Sequence, residues 1–309
     1  MTGNNFTEVM FFILHGFANH PKLQISLFMM FLFIYLFTVL GNLGLILLIR
    51  IDSQFHTPMY FFLSNLAFID IFYSSTVTPK ALVNLQSIQK IISFVGCFVQ
   101  MYFFVGLMCS ECFLLGSMSC DHYVAICNPL LYSVVMSQEV CRWLGVIPYM
   151  IGFTNSLVSI CVISTLAFCD ASINHLFCNT TALLALSCME ALNTEMVTFV
   201  LAGFTLLRSL FIITVTYIAI ISAILQIWSA AGRQKAFSTC VSHIMRVTVF
   251  YGSLLFTYLQ LDNTSSLTQA QVASVIYTIV IPVLNLLIYS LRNKDVKNAL
   301  LKAFQKLFP

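Results

Sequence analysis

Residues Met118–Tyr132 read MSCDHYVAICNPLLY, and they close an apolar stretch that begins at Phe94. The triplet Asp-His-Tyr at positions 121–123 marks the end of that stretch, and a short polar loop containing Pro129 follows it. A helix of about 20 residues crosses the ~30 Å hydrocarbon core of a bilayer. The segment therefore predicts a membrane-spanning helix whose polar end lies at the membrane surface.

The composition of the whole chain indicates the same environment. Of its 309 residues, 60% are hydrophobic and only 8% are charged. No soluble domain of this size needs so apolar a composition, so we predict a polytopic membrane protein. Backbone polar groups inside lipid must be satisfied within the segment, so the spans are helices and the fold class is all-α. Seven stretches qualify: Leu27–Ile49, Met59–Thr78, Phe94–Cys120, Trp143–Phe168, Met196–Trp228, Phe237–Gln260 and Val272–Leu291.

Basic residues define the orientation of this seven-transmembrane helix bundle. One side carries Arg50, Arg142, Arg233, Lys235, Arg292, Lys294, Lys297, Lys302 and Lys306, whereas the other has only Lys22, Lys80 and Lys90. The richer side is predicted to be cytoplasmic. We therefore expect a single domain over residues 1–309. It comprises an extracellular N-terminal tail (1–24), the bundle (25–291) and a cytoplasmic tail with a short amphipathic helix (292–309). The N-terminus lacks the features of a cleaved signal peptide.

The outer side carries residues that suit an oxidising compartment. Asn5 lies in the sequon Asn-Phe-Thr, and we expect it to be glycosylated. Four cysteines fall in the outer region: Cys97, Cys169, Cys178 and Cys188. Four cysteines allow three pairings, and the residues alone do not choose between them. The remaining cysteines lie in spans or cytosolic turns, where small apolar packing is their ordinary role.

Four further motifs follow one another along the chain. They are Gly41-Asn42, FHTPMYFFLSNLAFID at Phe55–Asp70, KAFSTCVSH at Lys235–His243, and PVLNLLIYSLRNKDVKNAL at Pro282–Leu300. Together with Met118–Tyr132, they resemble the motifs of the odorant (olfactory) receptors, which are rhodopsin-like G-protein-coupled receptors. The outer loop FCDASINHLFCNTTALLALSC resembles that of the tetrapod-type class II branch of the family.

The resemblance implies partners and a location. We expect a plasma-membrane receptor, surrounded by lipid, that binds a small-molecule odorant and activates a heterotrimeric stimulatory G protein to raise cyclic AMP. It also implies the disulfides Cys97–Cys178 and Cys169–Cys188. No enzymatic activity and no nucleic-acid partner are expected. Contacts with the G protein are expected from Asp121, His122, Tyr123, Pro129, Arg233, Lys235 and Tyr289.

Three residues depart from the family's pattern. His122 replaces the arginine of Asp-Arg-Tyr, and a shorter, mostly neutral side chain should weaken coupling. Leu286 replaces the proline of Asn-Pro-X-X-Tyr in span seven, which restores a backbone hydrogen bond and removes a kink. Arg246 occupies a position that is usually small or apolar. Because all three fall on the expected switch, an odorant-binding receptor with weak or absent coupling is the alternative function.

Six polar residues are expected near the middle of the membrane. At a rise of 1.5 Å per residue, Asp70 lies about 18 Å from Pro58 and Arg246 about 16 Å from Lys235. Intramembrane charges usually face the bundle interior, paired or hydrated. Two carboxylates at one depth suggest a structural sodium site, as the resemblance also implies. Alternatively, Arg246 replaces the cation in a salt bridge, or it faces an aqueous crevice or snorkels. The layer comprises Asn42, Asp70, Glu111, His243, Arg246 and Asn285, with sodium possible at Asp70 and Glu111.

A pocket for the odorant is expected between the outer halves of spans three, five, six and seven. Apolar stripes at helical spacing more often reflect helix packing, but the resemblance favours a cavity. Its apolar walls and few hydroxyls predict small, volatile, mostly apolar ligands. The predicted lining is Met101, Phe104, Val105, Met108, Ala202, Thr205, Leu206, Tyr251, Leu254, Leu255, Tyr258, Tyr277 and Thr278.

Two other features of the spans leave alternatives open. Arg208 in span five either finds a partner in the outer half of the bundle, such as Glu190 or Glu195, or pairs with an acidic odorant. Intramembrane charges would also suit a transporter or an ion channel, although the chain has no internal repeat. The sequence shows no nucleophile–base pair, phosphate loop or metal-ligand cluster with convincing spacing.

Overall fold

A computed structural model gives the architecture of the chain. It describes residues 10–16, 21–87, 89–188, 192–259, 275–292 and 296–299. The backbone alone is described at 21–23, 235, 256–259, 277 and 289–292. The predicted glycosylation site at Asn5 lies outside the described residues.

Seven helices form the body of the described structure. They are α1 (Pro21–Ile51), α2 (Pro58–Gln86), α3 (Phe94–Cys127), α4 (Gln138–Ile163), α5 (Leu192–Leu225), α6 (Ala230–Leu259) and α7 (Ile281–Arg292). In the described ranges, α1 to α5 are each long and apolar enough to cross a membrane. The first turns of α6 are polar, and α7 is short and follows a π-helical segment, Ile276–Val280. The helical architecture confirms the predicted all-α membrane fold class.

The bounds of the helices differ from those of the predicted spans, and the differences at α3 and α4 bear on the inner end of the bundle. α4 begins at Gln138, before the predicted start at Trp143. Ser137 caps the helix, since its hydroxyl accepts a hydrogen bond from the amide of Val140 at 3.4 Å. This helix ends at Ile163 instead of Phe168. α3 continues beyond the predicted span to Cys127. The Asp-His-Tyr triplet at 121–123 therefore lies inside the helix, whose last residue is Cys127.

A small sheet covers one end of the bundle, and the sequence did not predict it. Its strands are β1 (Phe11–Leu14), β2 (Ile91–Ser93) and β3 (Ser172–Ile173). β1 lies in the middle, antiparallel to β2 and parallel to β3. Alternate residues of β1 are buried, as expected for a strand with one face on a core. Part of the predicted N-terminal tail is therefore folded against the outer loops.

The helices differ in how much of their surface faces the protein. In the most apolar window of α3, 67% of residues are buried, compared with 22% in α1 and 17% in α5. α3 is thus the central helix, and it packs against α2, α4, α5 and α6. Large apolar side chains on the peripheral helices, such as Phe33 and Phe211, are exposed to the lipid.

Only one turn of the predicted tail helix falls within the described residues. Residues 296–299 are helical, with Val296 buried against the bundle and Lys297 exposed. One buried apolar residue next to an exposed basic residue fits an amphipathic helix at the membrane surface. The rest of the predicted helix lies outside the described residues.

Candidate ligand cavity and polar switch

Arg246 on α6 points into the centre of the bundle, where its side chain is fully buried. Its Nη2 donates a hydrogen bond to Oε1 of Glu111 on α3 at 2.7 Å, and its Nη1 lies 3.4 Å from Oδ2 of Asp70 on α2. Asn285 on α7 donates from Nδ2 to Oδ1 of Asp70 at 3.0 Å. These four residues, which we call the ion-pair cluster, join α2, α3, α6 and α7. The structure supports the salt-bridge alternative for Arg246.

The ion-pair cluster has little space for a second cation. The guanidinium group already contacts both carboxylates, and the void beside them, which Tyr73 and Pro282 also line, measures only about 10 Å³. A cavity of that size holds at most about one water. A sodium ion with its water shell does not fit this arrangement of residues, because the chain supplies the positive charge itself.

Asn42 was predicted to belong to the same layer, and its hydrogen bond lies elsewhere. Its side chain is buried, and its Nδ2 donates to the carbonyl oxygen of Thr38 at 2.9 Å. That bond stays within α1, one turn along the helix. Asn42 therefore satisfies its amide locally and makes no described hydrogen bond to the ion-pair cluster.

A second polar cluster is made of His122, Tyr217 and His243. It lies about one helical turn from the ion-pair cluster, toward the inner end of α3. Nε2 of His243 lies 3.0 Å from the carbonyl oxygen of Leu115, and its Nδ1 lies 2.8 Å from the hydroxyl of Tyr217. The same hydroxyl lies 3.4 Å from Nδ1 of His122. All three side chains are buried. This histidine cluster joins α3, α5 and α6.

The direction of each hydrogen bond in the histidine cluster follows from chemistry. The carbonyl of Leu115 can only accept, so Nε2 of His243 carries a proton. In a neutral imidazole its Nδ1 then accepts, and Tyr217 donates to it. The Tyr217 oxygen is left to accept from Nδ1 of His122. Each imidazole ring is thus fixed in one tautomer, and the three side chains of the histidine cluster can all be neutral.

Asp121 is held by the loop that follows α3. The hydroxyl of Tyr132 donates to Oδ1 of Asp121 at 2.8 Å, and the carboxylate is buried. Burial and the neighbouring negative charge raise the pKa of Tyr132, so its hydroxyl remains a donor across the physiological range. Asp121 therefore fixes the second inner loop against α3, while His122 beside it belongs to the histidine cluster.

Leu286 continues α7 where the family pattern would place a proline. The helix is continuous from Ile281 to Arg292, as expected when the backbone N–H is restored. The Leu286 side chain packs directly over Gly41 of α1, and a Cβ added at Gly41 would overlap it. The glycine therefore allows α1 and α7 to approach each other beside the ion-pair cluster.

Two disulfides fix the outer loops. Cys97 at the start of α3 is bonded to Cys178, and Cys169 is bonded to Cys188. Both pairs agree with the pairing that the family resemblance implied. The first bond attaches the long loop between α4 and α5 to the central helix, and the second closes that loop on itself.

The same loop covers the outer end of the bundle. The amide of Cys178 donates to Oε1 of Gln100 at 3.1 Å, and the ring of Phe177 lies 4.9 Å from that of Phe104 on α3. His175 belongs to the same loop and is buried, with Nδ1 3.1 Å from the Phe177 carbonyl oxygen. Burial lowers the pKa of His175 to about 4, against the opposing effect of this hydrogen bond. The ring is therefore neutral at physiological pH.

Comparison with known proteins shows the family. The family model described as olfactory receptor matches residues 31–306. The chain is 81% identical to human olfactory receptor 8I2 over the full length of both proteins. It is 54% identical to human olfactory receptor 8H1 over 99% of this chain and 98% of that protein, and 48% identical to mouse olfactory receptor 8A1 over 99% of each.

This chain belongs to the olfactory receptor family. It is a multi-pass, seven-transmembrane G-protein-coupled receptor and not an enzyme. Family membership implies an odorant ligand and a G protein partner, and it argues against the transporter and channel alternatives. The outer half of the bundle is therefore the place to look for the ligand cavity.

The predicted cavity wall of this olfactory receptor divides into two parts on α3. Met101 lies under the outer loop, where the Thr180 hydroxyl donates to its sulfur at 3.6 Å. The ring of Phe104 is stacked 4.9 Å from Tyr73 of α2. Val105 and Met108 are only partly buried and pack against the main core. Of the four α3 residues, these two have apolar surface left for a ligand.

Two of the predicted hydroxyls already have partners within the receptor. Thr205 on α5 accepts from Nδ2 of Asn155 at 2.9 Å and donates to the carbonyl of its own helix at Leu201. The hydroxyls of Tyr251 on α6 and Ser209 on α5 lie 2.7 Å apart. Thr278 is fully buried. A ligand must therefore compete with internal bonds, which favours apolar odorants with few polar atoms.

The remaining predicted lining residues differ in exposure, and the side chains of two of them cannot be compared. Leu255 is 56% exposed, and it belongs to an exposed stripe of α6 with Met245, Thr248 and Gly252 at steps of three and four residues. Leu254, the preceding residue, is buried. Ala202 and Leu206 are half-buried on α5. The side chains of Tyr258 and Tyr277 lie outside the described residues.

Arg208 does not point into the cavity. Its side chain is exposed on α5, with the guanidinium carbon 4.8 Å from the ring centre of Phe204 one turn away. A cation over an aromatic face is favourable, and it keeps the charge outside the bundle. The alternative that Arg208 pairs with an acidic odorant is therefore not supported.

The residues expected to contact the G protein lie at the end of the bundle opposite the disulfides. Pro129 and Arg233 are exposed, and Tyr123 is half-buried. Asp121 and His122 are buried in this conformation. The side chains of Lys235 and Tyr289 lie outside the described residues. Contact through the triplet therefore requires this end of the bundle to open.

Tyr217 is the main functional residue that sequence reasoning missed. It interrupts an apolar run in α5, about 12 Å from the helix end at 1.5 Å per residue, and His243 on α6 lies about 12 Å from Lys235 by the same count. An aromatic hydroxyl at the depth of a buried histidine was the available signal. Phe177 and Tyr132 were missed because contacts made by loops leave no periodic pattern.

Proposed function

We propose that this receptor binds small, largely apolar odorants in the outer half of the bundle and activates a stimulatory G protein that raises cyclic AMP. We further propose that it acts in the plasma membrane with its N-terminus outside the cell. The asymmetry of basic residues and the position of both disulfides support that orientation. The apolar and only partly buried side chains of Val105 and Met108 on α3 support the ligand class.

One observation carries the proposal: two separate polar clusters tie α6 to the rest of the bundle beneath the cavity. The ion-pair cluster connects Arg246 to α2 and α3, and the histidine cluster connects His243 to α3 and α5. An outward shift of α6 would break both sets of contacts. A ligand activates by binding the shifted state more tightly, so these clusters set the free energy that an agonist must supply.

The same contacts favour the alternative of weak coupling. Removing one partner from a buried ion pair costs about 3–5 kcal/mol, so separating Arg246 from its carboxylates is expensive. Supplying about 5.5 kcal/mol of differential binding takes a ligand that prefers one state by ~10⁴-fold. His122 is also buried against Tyr217, and it is shorter than the arginine of the family pattern. This receptor would therefore signal weakly in response to ordinary odorants.

The test measures cyclic AMP in cells that express the native chain with an olfactory-type stimulatory G protein, over a broad odorant panel. Surface display is measured on the same cells. His122→Arg and Arg246→Val are run in parallel, alone and together. Arg208→Leu is the matched control, because it removes a membrane arginine that lies outside the bundle interior.

The outcomes separate the two functions. A dose-dependent response of the native chain, comparable to that of a related receptor, supports full odorant signalling. Silence of a displayed native chain, with responses in His122→Arg or Arg246→Val but not in Arg208→Leu, supports weak coupling. Silence of every displayed variant would count against both proposals.

A further inference from the structure

A cavity of about 690 Å³ opens on the outside of the bundle, between the ends of α1, α2 and α4 that lie opposite the disulfides. The inner loops that follow α1 and α3 form its rim. This cavity, which we call the inner groove, shares no residue with the odorant cavity or with either polar cluster. It has no role in the function proposed above.

The rim of the inner groove is positively charged. Arg50 in the last turn of α1 and Arg142 in the second turn of α4 both line it, and both side chains are exposed. Among the described residues, neither arginine forms a salt bridge, and no acidic residue lines the groove. The nearest acids in sequence are Asp52, which accepts a hydrogen bond from the amide of Gln54, and Glu139.

The floor and sides of the inner groove are apolar. Phe55 is buried at its base, Phe61 is half-buried, and Phe68 is exposed toward the lipid. Gly145 on α4 keeps the groove open beside Phe61, because a Cβ there would lie 2.9 Å from the Phe61 ring. The groove therefore continues from a basic rim at the membrane surface to aromatic walls at the depth of acyl chains.

We propose that the inner groove binds an anionic phospholipid of the cytoplasmic leaflet. The phosphate would lie between Arg50 and Arg142, where arginine offers paired donors to phosphate oxygens. An acyl chain would lie along Phe61 and Phe68. The apolar walls favour a lipid over a free phosphate, since a soluble anion would leave them in water. The cytoplasmic assignment rests on the orientation proposed above.

The test uses the full-length receptor in nanodiscs of phosphatidylcholine and phosphatidylserine at a ratio of about 4:1. Native mass spectrometry then counts the lipids that remain bound after release. We expect the native chain to retain phosphatidylserine preferentially. Arg50→Gln with Arg142→Gln should reduce that preference roughly 25-fold, at roughly fivefold per arginine. Arg233→Gln removes a cytoplasmic arginine outside the groove and should leave the preference unchanged.

Three further arms make the result decisive. Arg50→Lys with Arg142→Lys should keep most of the preference, and its melting temperature checks that the rim tolerates substitution. Ser64→Phe fills the groove without changing charge and should reduce retention of both lipids. Inorganic phosphate should not displace the bound lipid.

Equal preference in the native and double-glutamine receptors would overturn the proposal, and so would full displacement by inorganic phosphate. An equal loss of preference in Arg233→Gln would also overturn it, because the lipid would then follow general surface charge. No odorant or G protein is present in these measurements. Failure here is therefore distinct from failure of the proposed signalling function.

Discussion

The ion-pair cluster and the histidine cluster lie one helical turn apart, and both tie α6 to the bundle, but they do so by different physics. Arg246 meets Asp70 and Glu111 as opposite charges in a buried site. His122, Tyr217 and His243 form a chain of neutral hydrogen bonds. Removing one partner of the buried ion pairs leaves an uncompensated charge and costs several kcal/mol. Each neutral hydrogen bond of the second cluster contributes about 1 kcal/mol to stability. The charged cluster should therefore dominate the stability of the closed state.

Arg246→Met should have the largest effect, because it leaves two buried carboxylates without a counter-charge. We expect a loss of about 3–5 kcal/mol of stability in buffer that contains choline as the only cation. Sodium should restore part of the loss in this variant, because its small ion can then occupy the vacated volume. The native receptor should be insensitive to the choice of cation. Thermal unfolding in nanodiscs measures both effects.

Arg208→Met is the control for the charged cluster, since that arginine is exposed on α5. Its melting temperature should change little in either salt. If it fell as far as that of Arg246→Met, the loss would reflect removal of any membrane arginine, and the buried ion pairs would not be its cause.

His175 is a buried neutral histidine. It lies in the outer loop, whereas the histidine cluster lies between the membrane-spanning helices. Its pKa is lowered by burial from 6.5 to about 4, so between these values the unfolded state binds more protons. The contribution of neutral His175 to the free energy of unfolding is therefore fully present above pH 6.5, and it is lost as the pH falls toward 4. At pH 5 the expected loss is roughly 2 kcal/mol. His175→Gln should melt at nearly the same temperature at pH 7.5 and pH 5.

Tyr217→Phe should have a smaller effect, because it removes one hydroxyl from the histidine cluster. The expected loss is about 1 kcal/mol, with a rise of roughly fivefold in basal cyclic AMP as the closed state weakens. Tyr35→Phe is the matched control, since it removes a hydroxyl that bonds Ser75 between α1 and α2. Equal basal signalling in the two variants would contradict a switch role for Tyr217.

The charged cluster could be predicted from sequence, and most of the neutral cluster could not. Helical rise placed Asp70, Glu111, Arg246 and Asn285 at one depth, and because intramembrane charges need partners, a salt bridge was one of the expected alternatives. The sequence does not require Tyr217 to have a polar partner inside the bundle, because an aromatic ring is stable both in lipid and in a protein core. Sequence therefore predicts contacts that are obligatory and misses those that are only favourable.

The outer half of the receptor shows the same limit. Spacing placed Tyr251, Leu254 and Leu255 of α6 together in the predicted cavity wall, and the structure buries the first two while Leu255 is exposed. A stripe at i, i+3 and i+4 covers a wide arc of the helix, and only the packing of neighbouring helices decides where its edge lies. The strand Phe11–Leu14 was missed for a related reason. Its partners are distant in sequence, and four residues are too few for a periodic signal.

The smallest change in stability is expected for a variant in which all the charged members of the ion-pair cluster are replaced. It gives the most direct test of how the two clusters differ. Replacing the charged members together, as Asp70→Asn, Glu111→Gln and Arg246→Met, removes the ion pairs and also the cost of burying three charges. Neutral replacement of a buried ion pair is often neutral or stabilising, so the stability should stay within about 1 kcal/mol of the native value. The triple variant should then unfold well above Arg246→Met. If both variants melt at the same temperature, the loss in Arg246→Met comes from packing around the guanidinium group. The two clusters would then hold α6 by similar means, because uncompensated charge would contribute nothing to the difference between them.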